Sequence, residues 1–200
     1  MKKQQVISMY NKRLENYGTI PESVGWKDLE TQYLRFQELI VNLDLDETKT
    51  ILDLGCGYGS LLDFFKKNKI KILEKNYFGV DFSEKMIQEA QSKFPKAEFI
   101  CSDFFEISLK KFDYVICSGG LNIKINKQEP YQNLEKFIAK FFPISKVALS
   151  FNLIHDLVDY KEKNLNYYHL PKVVELISLF SRTFSLKNGS KLFETSVTIY

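Results

Sequence analysis

The sequence predicts an α/β domain built on a mostly parallel β-sheet with helices on both faces. Short apolar stretches of strand length alternate along the chain with longer amphipathic stretches of helical spacing. The first predicted strand runs into a glycine-rich turn, and an acidic residue lies at or near the end of each of the first three strands. The 200 residues, of which 44% are hydrophobic, are enough for one full core, so we expect a single domain over residues 1–200.

Residues 1–46 are expected to precede the core, which spans residues 47–200. Apolar and aromatic side chains recur near helical spacing up to Tyr17, and Gly18 is expected to end this first helix. A second amphipathic helix is predicted over residues 28–42. The first 46 residues therefore add two helices ahead of the first strand.

The glycine-rich turn follows a strand predicted at residues 51–54 and consists of Gly55, Cys56, Gly57, Tyr58 and Gly59. Glycines allow a tight turn and let a ligand approach the backbone closely. The helix predicted over residues 60–68 points its free N–H groups into this turn, which suits a nucleotide-like or carboxylate-bearing cofactor. The spacing G-x-G-x-G differs from the G-x-G-x-x-G fingerprint of dinucleotide sites.

The rest of the core repeats the alternation of strand and helix. Strands are predicted at 77–80, 98–101, 114–117 and 147–151, helices at 84–93, 131–142 and from Pro171, and a final pair of strands at 183–186 and 192–200 around a turn at 187–190. Parallel strands of such a sheet place their carboxyl ends at one edge, where ligands bind near the switch in strand order. The acids Asp81 and Asp103 and the small residues Ser118 and Gly119 follow or end three of these strands.

In the stretches DLGCGYG, GVDFSEKMI and CSDFFE, the sequence resembles the class I S-adenosylmethionine-dependent methyltransferases. The resemblance is specific over residues 48–151 and loose elsewhere. It implies a three-layer Rossmann-like fold with a seven-stranded, mostly parallel sheet and an antiparallel last strand. It also implies that the two N-terminal helices form a lid or flank of the site.

The resemblance implies S-adenosylmethionine as cofactor and S-adenosylhomocysteine as product. The Asp81 carboxylate is expected to accept hydrogen bonds from the ribose hydroxyls, Asp103 to accept one from the adenine amino group, and Arg13 to pair with a carboxylate. Cys56 is expected to be a small, buried filler of the turn. The residues expected to bind the cofactor are Arg13, Trp26, Asp53, Gly55, Cys56, Gly57, Gly59, Asp81, Phe82, Asp103, Phe104, Ser118 and Gly119.

Methyl transfer from a sulfonium requires alignment of the reacting atoms, exclusion of water and, for some acceptors, removal of a proton. Residues 152–170 leave the carboxyl end of the fifth strand and are expected to form an irregular loop over the site. Within this loop, His155 and Tyr168 are the candidate catalytic residues.

A small-molecule acceptor, methylated on an oxygen or nitrogen atom, is the first expectation. The chain lacks the proline-proline-aromatic motif of base and glutamine amino methylation after the fourth strand, and its net charge of +3 is nearly balanced, so nucleic acid is not favoured. Three alternatives stay open: a tRNA or protein methyltransferase, a non-catalytic cofactor-binding or scaffold protein, and a nicotinamide-dependent oxidoreductase. The first would need a basic patch, with Lys66, Lys67, Lys69, Lys71, Lys124 and Lys127 as candidates.

The cysteines and the hydropathy of the chain indicate the cellular compartment in which the protein is expected. The three cysteines are odd in number and irregularly spaced, which favours a reducing compartment over a disulfide framework. No signal-peptide pattern and no apolar run of membrane-spanning length is present, so we expect a cytoplasmic protein without a membrane partner. The histidines and cysteines show no metal-ligand spacing, so no metal is expected, and the oligomeric state stays open.

Overall fold

The computed structural model describes residues 1–125, 129–189 and 192–200. Within these residues the chain forms seven strands and six α-helices. The strands are β1 (Ile51–Leu54), β2 (Tyr77–Asp81), β3 (Glu98–Cys101), β4 (Phe112–Cys117), β5 (Ser145–Ile154), β6 (Phe184–Asn188) and β7 (Glu194–Ile199). The helices are α1 (Lys3–Tyr17), α2 (Leu29–Ile40), α3 (Ser60–Lys67), α4 (Glu84–Lys93), α5 (Pro130–Phe141) and α6 (Leu170–Ser178), with short 3-10 turns at Pro21–Val24, Glu74–Asn76 and Phe142–Ile144.

The strands form one sheet in the order β3-β2-β1-β4-β5-β7-β6. Strands β1 to β5 are parallel to their neighbours, whereas β7 is inserted between β5 and β6 and is antiparallel to both. This confirms the predicted fold class, including the antiparallel last strand. The strand order reverses between β1 and β4, so the switch point lies directly beside the glycine-rich turn.

Helices cover both faces of the sheet and make three layers. One face packs against α2, α3 and α4 in a cluster that includes Phe36, Phe65 and Phe94. The opposite face packs against α5 and α6 in a cluster that includes Phe137 and Ile177. These rings and branched side chains are buried because the apolar stripe of each amphipathic helix faces the apolar surface of the strands.

Helix α1 packs across the end of the sheet rather than against one of its faces. Its side chain Leu14 contacts Tyr58 of the glycine-rich turn and Met86 of α4 in a small separate cluster. The Ser83 hydroxyl, which caps α4, donates to Asn11 of α1 at 2.7 Å. Gly18 follows the last residue of α1, as predicted, with φ of 71°.

The structure corrects the predicted boundary between the fifth strand and the following loop. The strand β5 continues to Ile154, so residues 152–154 belong to the sheet and the loop begins after them. The reason is tertiary: β7 pairs with this part of β5, with Asn152 opposite Ser196 and Ile154 opposite Glu194. In the final hairpin, β6 extends to Asn188, and Ser190 of the predicted turn lies outside the described residues.

Candidate functional site

A cleft of about 840 Å³ lies at the carboxyl ends of the parallel strands, beside the switch in strand order. It is lined by residues that the sequence placed at the site and by others that it did not. The predicted residues that line it are Arg13, Trp26, Asp53, Gly55, Cys56, Gly57, Asp81, Phe82, Asp103, Phe104, Ser118 and Gly119.

The glycine-rich turn forms the floor of the cleft at the end of β1. Gly55 and Gly57 have φ of 76° and 54°, a backbone region that other residue types adopt at a cost. The N–H groups of Gly55 and Cys56 both donate to the carbonyl of Val80 on β2, at 2.8 and 3.1 Å. The turn is thereby held against the end of β2 while its glycines face the cleft.

Asp81 connects the end of β2 to the turn. Its Oδ2 accepts a hydrogen bond from the Gly57 N–H at 3.1 Å, and its Oδ1 accepts one from the Ser83 N–H at 2.8 Å. Desolvation at the bottom of the cleft raises the pKa of Asp81 to about 6, although its surface is partly exposed and the two amide hydrogen bonds act in the opposite direction. The carboxylate therefore shapes the turn and also faces the cleft.

Asp53 is buried within β1, with 2% of its surface exposed. Its Oδ2 accepts a hydrogen bond from the Tyr77 hydroxyl of β2. Desolvation raises the pKa of Asp53 to about 7, against the opposing effect of the Tyr77 hydrogen bond. The Asp53 carboxyl thus lines the cleft from a buried position, and its hydrogen-bond partner is the Tyr77 side chain on the neighbouring strand β2.

Two residues of the turn are packed rather than open. Gly59 does not line the cleft, and a Cβ at this position would lie 3.0 Å from the Phe94 ring. Gly59, with φ of 80°, lies where it lets the start of α3 approach α4. Cys56 is 3% exposed and its sulfur lies 2.8 Å from the position of a Cβ on Gly79, so it fills space beneath the turn.

Asp103, after β3, is engaged by the first helix of the chain. Its Oδ2 accepts from the Lys3 ammonium at 2.7 Å and its Oδ1 from the Phe105 N–H at 2.9 Å. Phe104 beside it is 9% exposed and packs edge-to-face on Phe137, so most of its ring belongs to the core. The Lys3 contact was missed from the sequence because lysine near a chain terminus carries no pattern that points to a strand end 100 residues away.

The roof of the cleft comes from α1 and from the segment after it. Arg13 of α1 lies close to Gly25, where a Cβ would be 2.8 Å from the guanidinium. The Trp26 ring lies over Gly119 at the end of β4, with ring carbon Cζ2 3.0 Å from the position of a Cβ there. The predicted role of these N-terminal residues as a cover is thus consistent with where the structure puts them.

Neither predicted catalytic residue lines the cleft, so the structure shows no direct contact of His155 or Tyr168 with it. Tyr168 is fully buried and its hydroxyl donates to the Leu121 carbonyl at 3.0 Å. Burial raises the pKa of Tyr168 further above its usual value. His155 is 8% exposed and packs edge-to-face on Phe193, away from the cleft. Tyr168 belongs to the core cluster, and a parallel bridge between residues 155 and 168 joins the two segments where the chain turns back on itself.

The far end of the cleft has a second wall that sequence reasoning missed. An antiparallel bridge joins Ile123 to Leu165, and the Asn166 N–H donates to the Asn122 carbonyl at 2.8 Å. These four residues and Ile154 at the end of β5 all line the cleft. They come from three separate chain segments, so no local spacing indicates that they share a site.

Across residues 1–125, 129–189 and 192–200, no cluster of three or more potential metal ligands occurs. Over the same residues, no helix has the length and apolar character needed to cross a bilayer.

The comparisons with known proteins agree with the fold. Residues 51–140, from β1 to α5, match the model of a methyltransferase domain family. Within this stretch the chain carries a methyltransferase domain, and its sheet has the strand order of the class I methyltransferase fold. S-adenosylmethionine is accordingly its methyl donor.

Individual relatives are distant. A candidate methyltransferase of Mycobacterium tuberculosis, Rv1506c, is 28% identical over 159 residues, which cover 75% of this chain and 92% of that protein. The ubiquinone/menaquinone biosynthesis C-methyltransferase UbiE of Campylobacter jejuni is 25% identical over 150 residues, which cover 70% of this chain and 61% of the relative. Magnesium protoporphyrin IX methyltransferase from Synechocystis, crystallised with S-adenosylhomocysteine, shares the fold with a TM-score of 0.67 and 18% identity, covering 98% of each chain.

Proposed function

We propose that this methyltransferase transfers the methyl group to an oxygen or nitrogen atom of a small molecule bound beside the cofactor. The observation that carries this proposal is the shape of the cleft. One cavity runs from the strand-end acids Asp81 and Asp103 to the second wall at Ile123 and Leu165. Its volume of about 840 Å³ lies within the roughly 300–1,000 Å³ of small-ligand sites. Because α1 and Trp26 cover it, a compact acceptor fits better than a polymer.

The residues at the strand ends fit S-adenosylmethionine on observations of this structure. The positive φ values of Gly55 and Gly57 leave an open backbone cradle, and the buried Ser118 hydroxyl has no partner among the described residues. Asp81 would accept hydrogen bonds from the ribose hydroxyls and Asp103 one from the adenine amino group, in exchange for Lys3. Phe82 would cover the adenine, and Phe104 would contribute the edge of its ring.

The methionine end of the cofactor would lie along the turn and the end of β4. Ser118 and Gly119 would border it there, Arg13 would pair with its carboxylate, and Asp53 would face its ammonium. Asp53 is suited to that charge because a nearby cation favours the ionised carboxylate, whose pKa burial raises to about 7. Cys56 would support the turn from beneath.

When bound, S-adenosylmethionine supplies a methyl group on a positively charged sulfur, which is already activated for nucleophilic attack. The chain must therefore orient the acceptor and keep water out. Trp26 and α1 close the cleft from above, and the side chains Ile123, Ile154 and Leu165 give it an apolar far wall. No histidine or tyrosine of residues 155–169 lines the cleft, so we assign proton removal to none of them.

The placement of the lysines disfavours a nucleic-acid acceptor. Helix α3 begins at the glycine-rich turn and runs away from it, so Lys66 and Lys67 lie roughly 10 Å further along the helix axis. Each of the two also pairs with an acid, Glu74 and Asp63 respectively. Lys69 and Lys71 follow the end of α3 and are exposed, and Lys127 lies outside the described residues. Lys124 is the one candidate of this set that the structure describes close to the second wall, where its N–H donates to the Asn164 carbonyl.

The test is transfer of labelled methyl groups from S-adenosylmethionine into fractions of a cell extract. We expect label in the small-molecule fraction and none in the RNA and protein fractions. The Asp81→Ala variant serves as control, because its weakened cofactor site should lower incorporation. Label that enters RNA or protein instead would overturn the small-molecule proposal. Calorimetric titration with S-adenosylmethionine, S-adenosylhomocysteine and NADH measures the cofactor site separately; we expect the first two to bind and NADH not to.

A further inference from the structure

A buried acid on the last strand is joined to the cleft although it does not line it. Glu194, the first residue of β7, is 4% exposed and lies 135 residues beyond Gly59. An ionised side chain is buried at a cost unless it is paired and hydrogen-bonded. Its partners therefore indicate what it stabilises.

One branch leads from Glu194 to the end of β4. Its Oε2 accepts a hydrogen bond from Nδ2 of Asn152 on β5. The Oδ1 of the same amide accepts from the N–H of Gly119 at 2.7 Å. Asn152 is 1% exposed and uses its donor and its acceptor at once, so its amide orientation is defined by the carboxylate on one side and Gly119 on the other.

The other branch leads to the roof. Oε1 of Glu194 accepts from Nε of Arg35 on α2 at 2.9 Å, in an ion pair whose side chains are 13% and 5% exposed. The Arg35 guanidinium lies over the ring of Trp26, 4.0 Å from its centroid. A planar cation close to an aromatic face is an attractive and directional contact.

The two branches meet at the cleft, because the Trp26 ring lies directly over Gly119. Gly119, Asn152, Glu194, Arg35 and Trp26 thus form a closed circuit of contacts. Two members of this circuit, Gly119 and Trp26, line the cleft, while the other three stand behind them.

We infer that Glu194 is a positioning residue of the active site. Through Asn152 it fixes the position of the Gly119 backbone, and through Arg35 it fixes the position of the Trp26 ring over that backbone. The inference rests on the proposed placement of the cofactor's methionine end beside Gly119. Loss of the carboxylate charge leaves Arg35 held near Trp26 only by its Nη1 hydrogen bond to the Thr31 carbonyl, at 2.9 Å, and leaves the Asn152 amide free to turn. The roof then loosens over the place where the methyl group is transferred.

The test uses Glu194→Gln, which keeps the size of the side chain and removes its charge. Trp26 is the only tryptophan of the chain, so emission excited at wavelengths beyond the absorption of the 11 tyrosines reports on the roof alone. We expect a red-shifted emission, stronger quenching by acrylamide and a rise in the dissociation constant of S-adenosylmethionine on the order of tenfold. Thr195→Val is the matched control, because Thr195 is the next residue of β7, is also buried, and donates its hydroxyl to Asn188 rather than to a member of the circuit.

A second variant, Arg35→Lys, covers the case in which Glu194→Gln fails to fold. It keeps a positive charge beside Glu194 and loses the planar group over Trp26, so we expect the same changes at smaller size. If a folded Glu194→Gln or Arg35→Lys protein shows wild-type fluorescence, quenching and affinity, the inference is wrong. If the wild-type protein itself does not bind S-adenosylmethionine, the proposed cofactor placement fails, and the fluorescence and quenching changes still test the contact with the roof.

Discussion

Replacing Asp81 by alanine removes a carboxylate that does two things at the cleft. In the structure it accepts the N–H groups of Gly57 and Ser83, at 3.1 and 2.8 Å, and we propose that it also accepts hydrogen bonds from the ribose of the cofactor. Hydrogen bonds to a charged group contribute about 1.5–3 kcal/mol. The expected loss in affinity for S-adenosylmethionine is therefore roughly tenfold to 150-fold.

The assay is calorimetric titration of the purified variant, with thermal unfolding measured alongside. Asp113→Ala is the matched control, because Asp113 is likewise a partly buried carboxylate that accepts a backbone N–H, from Thr50 at 2.8 Å. Asp113 lies near the start of β4, at the end of the parallel strands that is opposite the cleft. Its loss should therefore lower the stability of the protein and leave the affinity for S-adenosylmethionine unchanged. A folded Asp81→Ala protein whose dissociation constant stays within about twofold of wild type would refute the assigned cofactor site.

Three further substitutions test the glycine-rich turn, the buried carboxyl of Asp53 and the role of Tyr168. Gly57→Val should weaken cofactor binding more than Asp81→Ala, because it forces a β-branched residue into a φ of 54° in the glycine-rich turn. Gly18→Val is the control: it is strained at a φ of 71° but lies far from the cleft, so the affinity for S-adenosylmethionine measured by calorimetry should stay unchanged. Asp53 holds a proton in the folded state up to a pH of about 7 but only up to about 3.8 when unfolded, so folded-state stability falls as pH rises through this window. Urea unfolding at about pH 5 and about pH 8 should therefore show a smaller decrease for Asp53→Asn than for wild type, and an equal decrease would contradict the raised pKa. Tyr168→Phe should lower the free energy of unfolding by about 0.5–1.5 kcal/mol, because the hydrogen bond from the Tyr168 hydroxyl to the Leu121 carbonyl is lost. Cofactor affinity and methyl transfer should not change. Loss of methyl transfer in a variant of wild-type stability would instead support a catalytic role for Tyr168.

Local chemistry made most of the cofactor end of the cleft predictable. A glycine at a positive φ, an acid at the end of a short apolar strand and a serine cap such as Ser83 each depend on a few neighbouring residues. Parallel strands then bring their carboxyl ends to one edge, which is why Asp81 and Asp103 share a cleft although the sequence separates them. The packing of Gly59 on Phe94 was not predicted, because it depends on a helix that is not its sequence neighbour.

The sequence by itself determined the order of strands and helices, the glycine-rich turn and the acids at the strand ends, because these follow from backbone preferences and hydrophobic periodicity within short windows. Tertiary structure alone decided where the polar side chains after β4 lie relative to the cleft. It buried Tyr168 and His155 by folding the chain after β5 back onto the core, and it joined Glu194 to Trp26 across 168 positions of sequence. Burial and pairing of a side chain depend on what distant segments pack around it, and no spacing within the sequence encodes that directly.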